Sequence, residues 1–370
     1  MEISVTTPIP YIFDIAFHDC FWHGLIASPL KRLGLVAYCL HLSPIQTAMV
    51  TSVRDISSSY KVSRASHPNE HAAAYRDWID HRLYQLSPKF SFDAVLLDHQ
   101  VRDEISVNKE TITTPSIEQM GRVPEDKVLI ALIRSTSGVI MNGRQVNGDM
   151  IYLASGRSVQ CITKSSVQSD FLTLDRRFFV ERLPLANLPI SGSNGFELVV
   201  KPATGLTTAY HRKVGRHFDL LDGDPLFSEI DHSTESLLTC VGEMLGGGTS
   251  DNDTCPNAST RAYIVRRSSE LFVANCHDQE FGVLDLCSHL KISRRTLQYS
   301  FEQVMGISPM QYMRIVRLNV ARRALTESAA GAQIQGAAFD AGFGHIGRFS
   351  KYYSDFFGEL PSATLQSGRA

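Results

Sequence analysis

Two stretches near the C-terminus are offset copies of one another, and no other feature constrains the fold as strongly. At an offset of 52 residues, Leu297 matches Phe349, Phe301 matches Tyr353, Gly306 matches Gly358 and Pro309 matches Pro361. The strings Gly306-Ile307-Ser308-Pro309 and Gly358-Glu359-Leu360-Pro361 close the two units. Two similar units of this size suggest a duplicated helical motif.

In the first unit, Val283–Leu290 reads as a short helix, with Cys287 as the small residue at a close helix crossing. Lys291-Ile292 makes the turn, and Ser293 is an N-cap for the next helix. There Leu297, Phe301 and Val304 share one face at helical spacing, with Arg295, Gln298, Tyr299 and Glu302 opposite. The second unit repeats the plan. Ile334–Ala341 supports, Gly342 turns, and Phe349, Tyr353 and Phe356 form the buried face. Gly347, Ser350, Lys351 and Ser354 lie outside, flanked by Ile346 and Arg348. Ser308 and Pro309 start a connecting helix through about Leu325, decorated by Arg314, Arg317, Arg322 and Arg323.

A short helix with an apolar back and a face of Arg, Gln and Tyr fits the DNA major groove. Arg pairs with guanine and Gln with adenine, through two hydrogen bonds each. A rigid connector would present two such helices to groove segments roughly 34 Å apart. A solvated surface helix also carries arginines, and connector arginines suit phosphates or surface ion pairs equally. The duplication, caps and turn residues, together with the local charge, favour DNA.

That charge is hidden in the whole-chain balance. With 36 Lys+Arg against 38 Asp+Glu, the net of −2 argues at first sight against a nucleic-acid partner. The chain divides, however, at Gly246–Asn257, a Gly-, Asp- and Asn-rich linker. Residues 260–370 hold 13 basic and 9 acidic residues, a net of +4, leaving −6 on residues 1–259. At roughly 100–200 residues per domain, the 370 residues fit about two domains.

Upstream, residues 91–174 look strand-rich: 92–97, 127–133, 138–141 and 150–153, with turn signals at Asn142-Gly143 and Asn147-Gly148-Asp149. Short strands at this spacing suggest a small antiparallel barrel or sandwich. After Asp175 the pattern turns helical, over Thr207–Leu221 and Ser228–Leu245. The latter, with Ile230, Leu237, Leu238, Val241, Met244 and Leu245, reads equally as a dimer helix or as packing on its own domain.

Residues 1–48 fit neither domain. Their apolar run is broken by Lys31-Arg32 and is too short on either side to span a bilayer. The charge order is also wrong for a signal peptide. One reading is a start at Met49 with a non-native upstream segment. Seven scattered cysteines without a CxxC pair fit inert thiols in a reducing cytoplasm.

These residues resemble the AraC/XylS family of bacterial transcription regulators. The strings that carry the likeness are Ser293-Arg294-Arg295-Thr296-Leu297-Gln298, Gly306-Ile307-Ser308-Pro309 with Tyr312, and Arg317-Leu318-Asn319-Val320-Ala321-Arg322-Arg323. Gly342-Phe343-Gly344-His345-Ile346-Gly347-Arg348-Phe349-Ser350 and Phe357-Gly358-Glu359-Leu360-Pro361-Ser362 complete the set, which covers about 110 residues. The second unit looks most like the branch containing the ethanolamine-operon regulator. The resemblance implies two helix-turn-helix motifs joined by a long helix. It points to Ser293, Arg294, Arg295, Gln298 and Tyr299 as DNA-binding residues in the first motif, and to His345, Ile346, Gly347, Arg348 and Lys351 in the second. Two departures stand out: Lys291 replaces the usual turn glycine, and Gly347 offers the second helix no base-reading side chain.

The strand-rich region resembles, more weakly, the family's cupin-like sensor. The expected fold class is therefore α+β: a cupin-like β-barrel with helices over 49–246, a linker at 247–259 and an all-α double helix-turn-helix domain at 260–370. Between residues 91 and 175 only His99 is a histidine, so neither a catalytic metal centre nor a cofactor is expected. The leading function is a DNA-binding regulator, an activator, that senses an unknown small-molecule effector. Expected partners are double-stranded DNA, RNA polymerase and a second copy of the chain, with no membrane. The alternatives are a ligand-independent regulator whose barrel only dimerises and a cupin enzyme fused to a DNA-binding module.

Overall fold

Uninterrupted apolar runs such as Val128-Leu129-Ile130-Ala131-Leu132-Ile133 need cover on both faces of a strand, because successive side chains alternate. The computed structural model supplies that cover. It describes residues 60–183, 195–223, 225–250, 256–327 and 333–367; the expectations for residues 1–48 lie outside them. From Asp55 on, the chain forms one compact unit.

Thirteen strands make two antiparallel sheets among the described residues. The first has eight strands, in the order β1 (Tyr60–Ala65), β3 (Ala94–Arg102), β4 (Ile105–Ile112), β11 (Val167–Asp175), β6 (Lys127–Ser135), β9 (Ile151–Ser155), β12 (Phe196–Lys201) and β13 (Thr249–Ser250). The second has five: β2 (Ile79–Gln85), β5 (Ile117–Arg122), β10 (Ser158–Thr163), β7 (Val139–Met141) and β8 (Arg144–Val146).

In β6, Leu129, Ala131 and Ile133 face the space between the sheets. Val128, Ile130 and Leu132 face a second apolar core on the other side. That outer core is sealed by α2 (Arg176–Arg182), α3 (Leu206–Leu221) and α4 (Phe227–Gly246). A short helix, α1 (Pro68–Ala74), precedes β2. Asn142 and Gly143 both have positive φ, 43° and 83°, and close the β7–β8 hairpin. An ideal Cβ on Gly143 would stand 1.9 Å from that of Ala262, so only glycine fits there.

Two expectations need correction, and one open pair of readings is decided. The β-rich region is a pair of sheets and not a closed barrel: among the described residues no strand belongs to both, and each sheet keeps two edges. Strand structure also continues past Asp175, as β12 and β13 extend the large sheet beside β9. β13 falls inside the stretch read as linker, and helix resumes there at Pro256. Finally, the apolar stripe of α4 is buried: Ile230, Leu237, Leu238, Val241, Met244 and Leu245 are all 4% exposed or less, most of them packed in the core behind the large sheet. The stripe is therefore used within the chain.

The helical region comprises α5 (Pro256–Asn275), α6 (Val283–Leu290), α7 (Arg294–Met305), α8 (Pro309–Thr326), α9 (Ile334–Asp340), α10 (Ile346–Phe357) and α11 (Pro361–Ser367). Its core takes in Tyr84, Leu86 and Ile162 from the small sheet. Among the described residues, no helix is long and apolar enough to cross a membrane.

Candidate nucleic-acid interface

Each helical unit is built from local signals. In the first, the Gly282 N–H donates to Asp285 Oδ2 (2.8 Å) to start α6. Lys291 takes a left-handed backbone, φ 53°, and ends it. The Ser293 hydroxyl accepts from the Thr296 N–H at 3.0 Å and starts α7. Leu297 and Phe301 are fully buried beneath α7. That anchoring leaves Arg294, Arg295, Gln298, Tyr299 and Glu302 on the exposed face.

The second unit follows the same plan without the serine cap: His345, at the N-cap of α10, makes no side-chain cap bond. Gly342, φ 81°, turns the chain between α9 and α10. An ideal Cβ there would lie 2.4 Å from the Cys276 carbonyl oxygen and 2.8 Å from Arg317 Nε. Phe349 and Tyr353 are fully buried, and His345, Ile346, Gly347, Arg348 and Lys351 are exposed. Ser350 and Ser354, read from the sequence as outward, are half-buried. Open space surrounds Gly347. Gly306 and Gly358 end α7 and α10 with φ 75° and 77°, so the repeated glycines do the same job.

The exposed residues differ in freedom. The Gln298 amide donates to Glu302 Oε1 at 2.6 Å, and the Arg261 guanidinium sits 4.9 Å from the centre of the Tyr299 ring. Arg294, Arg295, Arg348 and Lys351 have no ion pair among the described residues. The connector arginines are more committed. Arg317 donates to the carbonyls of Cys276 (3.1 Å) and Asp278 (2.7 Å). Arg322 pairs with Glu359 at 2.9 Å and covers the Phe357 ring, and Arg314 covers Tyr352. Arg323 pairs with Glu327. Most of this charge holds helices together.

The β-rich region contributes a second candidate site that the sequence did not reveal. A cavity of about 30 Å³ lies between the sheets, lined mostly by apolar side chains, with Thr163, Ser169 and the buried Glu110 among them. There Glu110 accepts from Gln119 (2.9 Å) and the Tyr75 hydroxyl, and meets His71 Nε2 at 2.7 Å. Burial alone would push the Glu110 carboxyl up; the bond and charge of His71, with Tyr75 and Gln119, bring it down to about 2. His71 and Tyr75 lie before residue 91, outside the stretch that looks strand-rich. The one histidine of that stretch, His99, is buried against His217 (2.9 Å) on α3, away from the cavity.

A family described as a helix-turn-helix domain matches residues 286–367. XylDLEGF operon transcriptional activator 2 of Pseudomonas putida is 41% identical over 75 residues, 20% of this chain and 48% of that protein. XylDLEGF operon transcriptional activator 3 of the same species is 34% identical over 137 residues, 37% of this chain and 40% of that protein. The chain thus spans less than half the length of these curated relatives. A solved structure of a probable AraC family transcriptional regulator from Rhodopseudomonas palustris is 34% identical, covering 29% of this chain and 98% of that one, with a TM-score of 0.27.

Proposed function

We propose, from the premise that the C-terminal domain of this chain belongs to the AraC/XylS type of helix-turn-helix domains, that the protein is a sequence-specific transcription regulator. One observation carries this reading: α7 and α10 each set a polar, partly cationic face outward over a fully buried aromatic and aliphatic back. Arg295 and Gln298 read bases from α7, helped by Tyr299; Ser293 and Arg294 hold the backbone at its start. Arg348 and Lys351 do the corresponding work from α10, beside His345, Ile346 and Gly347. The Pseudomonas putida relatives are transcriptional activators, and activation by this chain would bring it to RNA polymerase.

The test is binding of the full chain to genomic fragments recovered by genome-wide mapping. Affinity should fall steeply with salt, as expected for phosphate neutralisation. Arg295→Ala should cost about 1–3 kcal/mol on a recovered site and less on random DNA. Equal losses on both would reduce Arg295 to a phosphate contact.

The cavity is the proposed effector site. Its walls suit a compact, mostly apolar molecule, and the Glu110 end accepts one donor group. A second reading, regulation without a ligand, is favoured by the small free volume, which holds about two waters. Thermal-shift screening separates them: a metabolite that raises the melting point supports the effector.

A further inference from the structure

The small sheet has both faces occupied. In β5, Ile117 and Gln119 line the cavity, while Glu118 between them points the other way, fully buried beside Ser269 of α5 and Tyr312 of α8. In β10, Cys161 and Thr163 line the cavity; Gln160 and Ile162 face the helices. In β7, Met141 lines the cavity and Ile140 packs toward the helices. A single layer of backbone therefore separates the cavity from the DNA-binding domain.

The helices are also tied to the edge of this sheet. The Gln85 N–H donates to Asn319 Oδ1 (3.2 Å), and the Asn319 amide donates back to the Gln85 carbonyl (3.1 Å). Just beyond β2, the Lys89 N–H donates to the carbonyl of Phe356 in α10 (2.6 Å).

The two sheets are not seated alike. Behind the large one lies a continuous apolar core. Behind the small one, the apolar contacts of Tyr84, Leu86 and Ile162 are interrupted by a buried polar cluster, in which Glu118 accepts from Gln160 at 2.6 Å and lies beside Tyr312 and Ser269. Burying a carboxyl group carries a desolvation cost that its partners offset only in part, whereas apolar burial holds a contact. Ligand pockets are about 300–1,000 Å³, so an organic ligand has to spread the sheets.

We infer that the small sheet is the wall that yields, so that a molecule entering the cavity shifts β5 and β10 and unseats α8 and α10 from the edge of β2. This rests on the reading of the cavity as an effector site, and it adds which wall moves and what that wall carries.

Ala131 lies on β6, in the opposite wall, and faces the cavity. Ala131→Leu fills that space without a ligand. In the full chain, hydrogen exchange should rise by about ten-fold over 82–87 and 312–320 and stay unchanged over 206–221 and 237–245. Asn319→Ala, which leaves the cavity intact, should raise exchange over 82–87 alone and so marks the released edge. Faster exchange in α3 and α4, uniform exchange throughout, or no change in the folded variant overturns the inference. Ala131→Val, the smaller insertion, decides in the same way if the leucine variant does not fold. Exchange needs no DNA, so a chain that transmits but binds no operator overturns only the proposed function.

Discussion

Lys291 and Gly342 turn the chain at the same place in the two units, both with left-handed backbones, yet their surroundings differ. Lys291 is exposed, so its only penalty is the conformation itself. Gly342 faces the Cys276 carbonyl and Arg317 with no room for a Cβ. Gly342→Ala should therefore destabilise the domain by about 2 kcal/mol or more. Lys291→Gly should gain at most about 1 kcal/mol, because relief of φ is partly offset by the freedom of glycine in the unfolded chain. Urea unfolding measures both; a neutral Gly342→Ala would remove the packing argument. This pair also shows what a sequence reveals at single positions. The turn residues were legible because the backbone demand is local. The role of Arg317 was not, since its acceptors, Cys276 and Asp278, lie about 40 residues upstream.

Among elements, the helices were more legible than the strands. α7 and α8 begin where the caps put them, because the signals Ser293, Ser308 and Pro309 sit in the chain beside the backbone they satisfy. β1 and β2 were not legible: Tyr-Lys-Val-Ser-Arg-Ala and Ile-Asp-His-Arg-Leu-Tyr-Gln carry edge-strand charge in place of an apolar run. The seat between β5 and the helices is the element most open to titration. Burial raises Glu118 to about 7, with Gln160, Tyr312 and Ser269 around it and Tyr84, near Arg82, the next acid group. Because its folded pKa lies above the unfolded value, its contribution is complete below about pH 4.5 and is lost as pH rises through 7. Thermal midpoints from pH 5 to 8 should fall at the alkaline end for the native chain and less so for Glu118→Gln. Parallel curves would mean that Glu118 does not titrate in this range.

Across the whole molecule, a second pair of groups titrates in the opposite sense. Burial lowers His99 to about 4, with the charge of Arg76 adding to it, and lowers His217 to about 3, where protonation would also compete with that of His99. Groups held neutral in this way contribute fully above the unfolded value of about 6.5, and the contribution is lost as pH falls toward 4. Together with Glu118, this should place maximum stability between roughly pH 6 and 7; calorimetry across that span checks it, and a plateau down to pH 5 would contradict the histidine part.

One consequence concerns what happens if the two halves part company. Asn319 bonds to Gln85 as a neighbouring strand would, using both its carbonyl and its amide. Without it, the Gln85 end of β2 adds unpaired backbone groups to an edge strand, the usual starting point for sheet-to-sheet stacking between molecules. The helical half should therefore also guard the other half against self-association. Residues 60–250 made alone should elute as a spread of oligomers, whereas the full chain should not, and proteolysis between the halves would leave a fragment prone to aggregate.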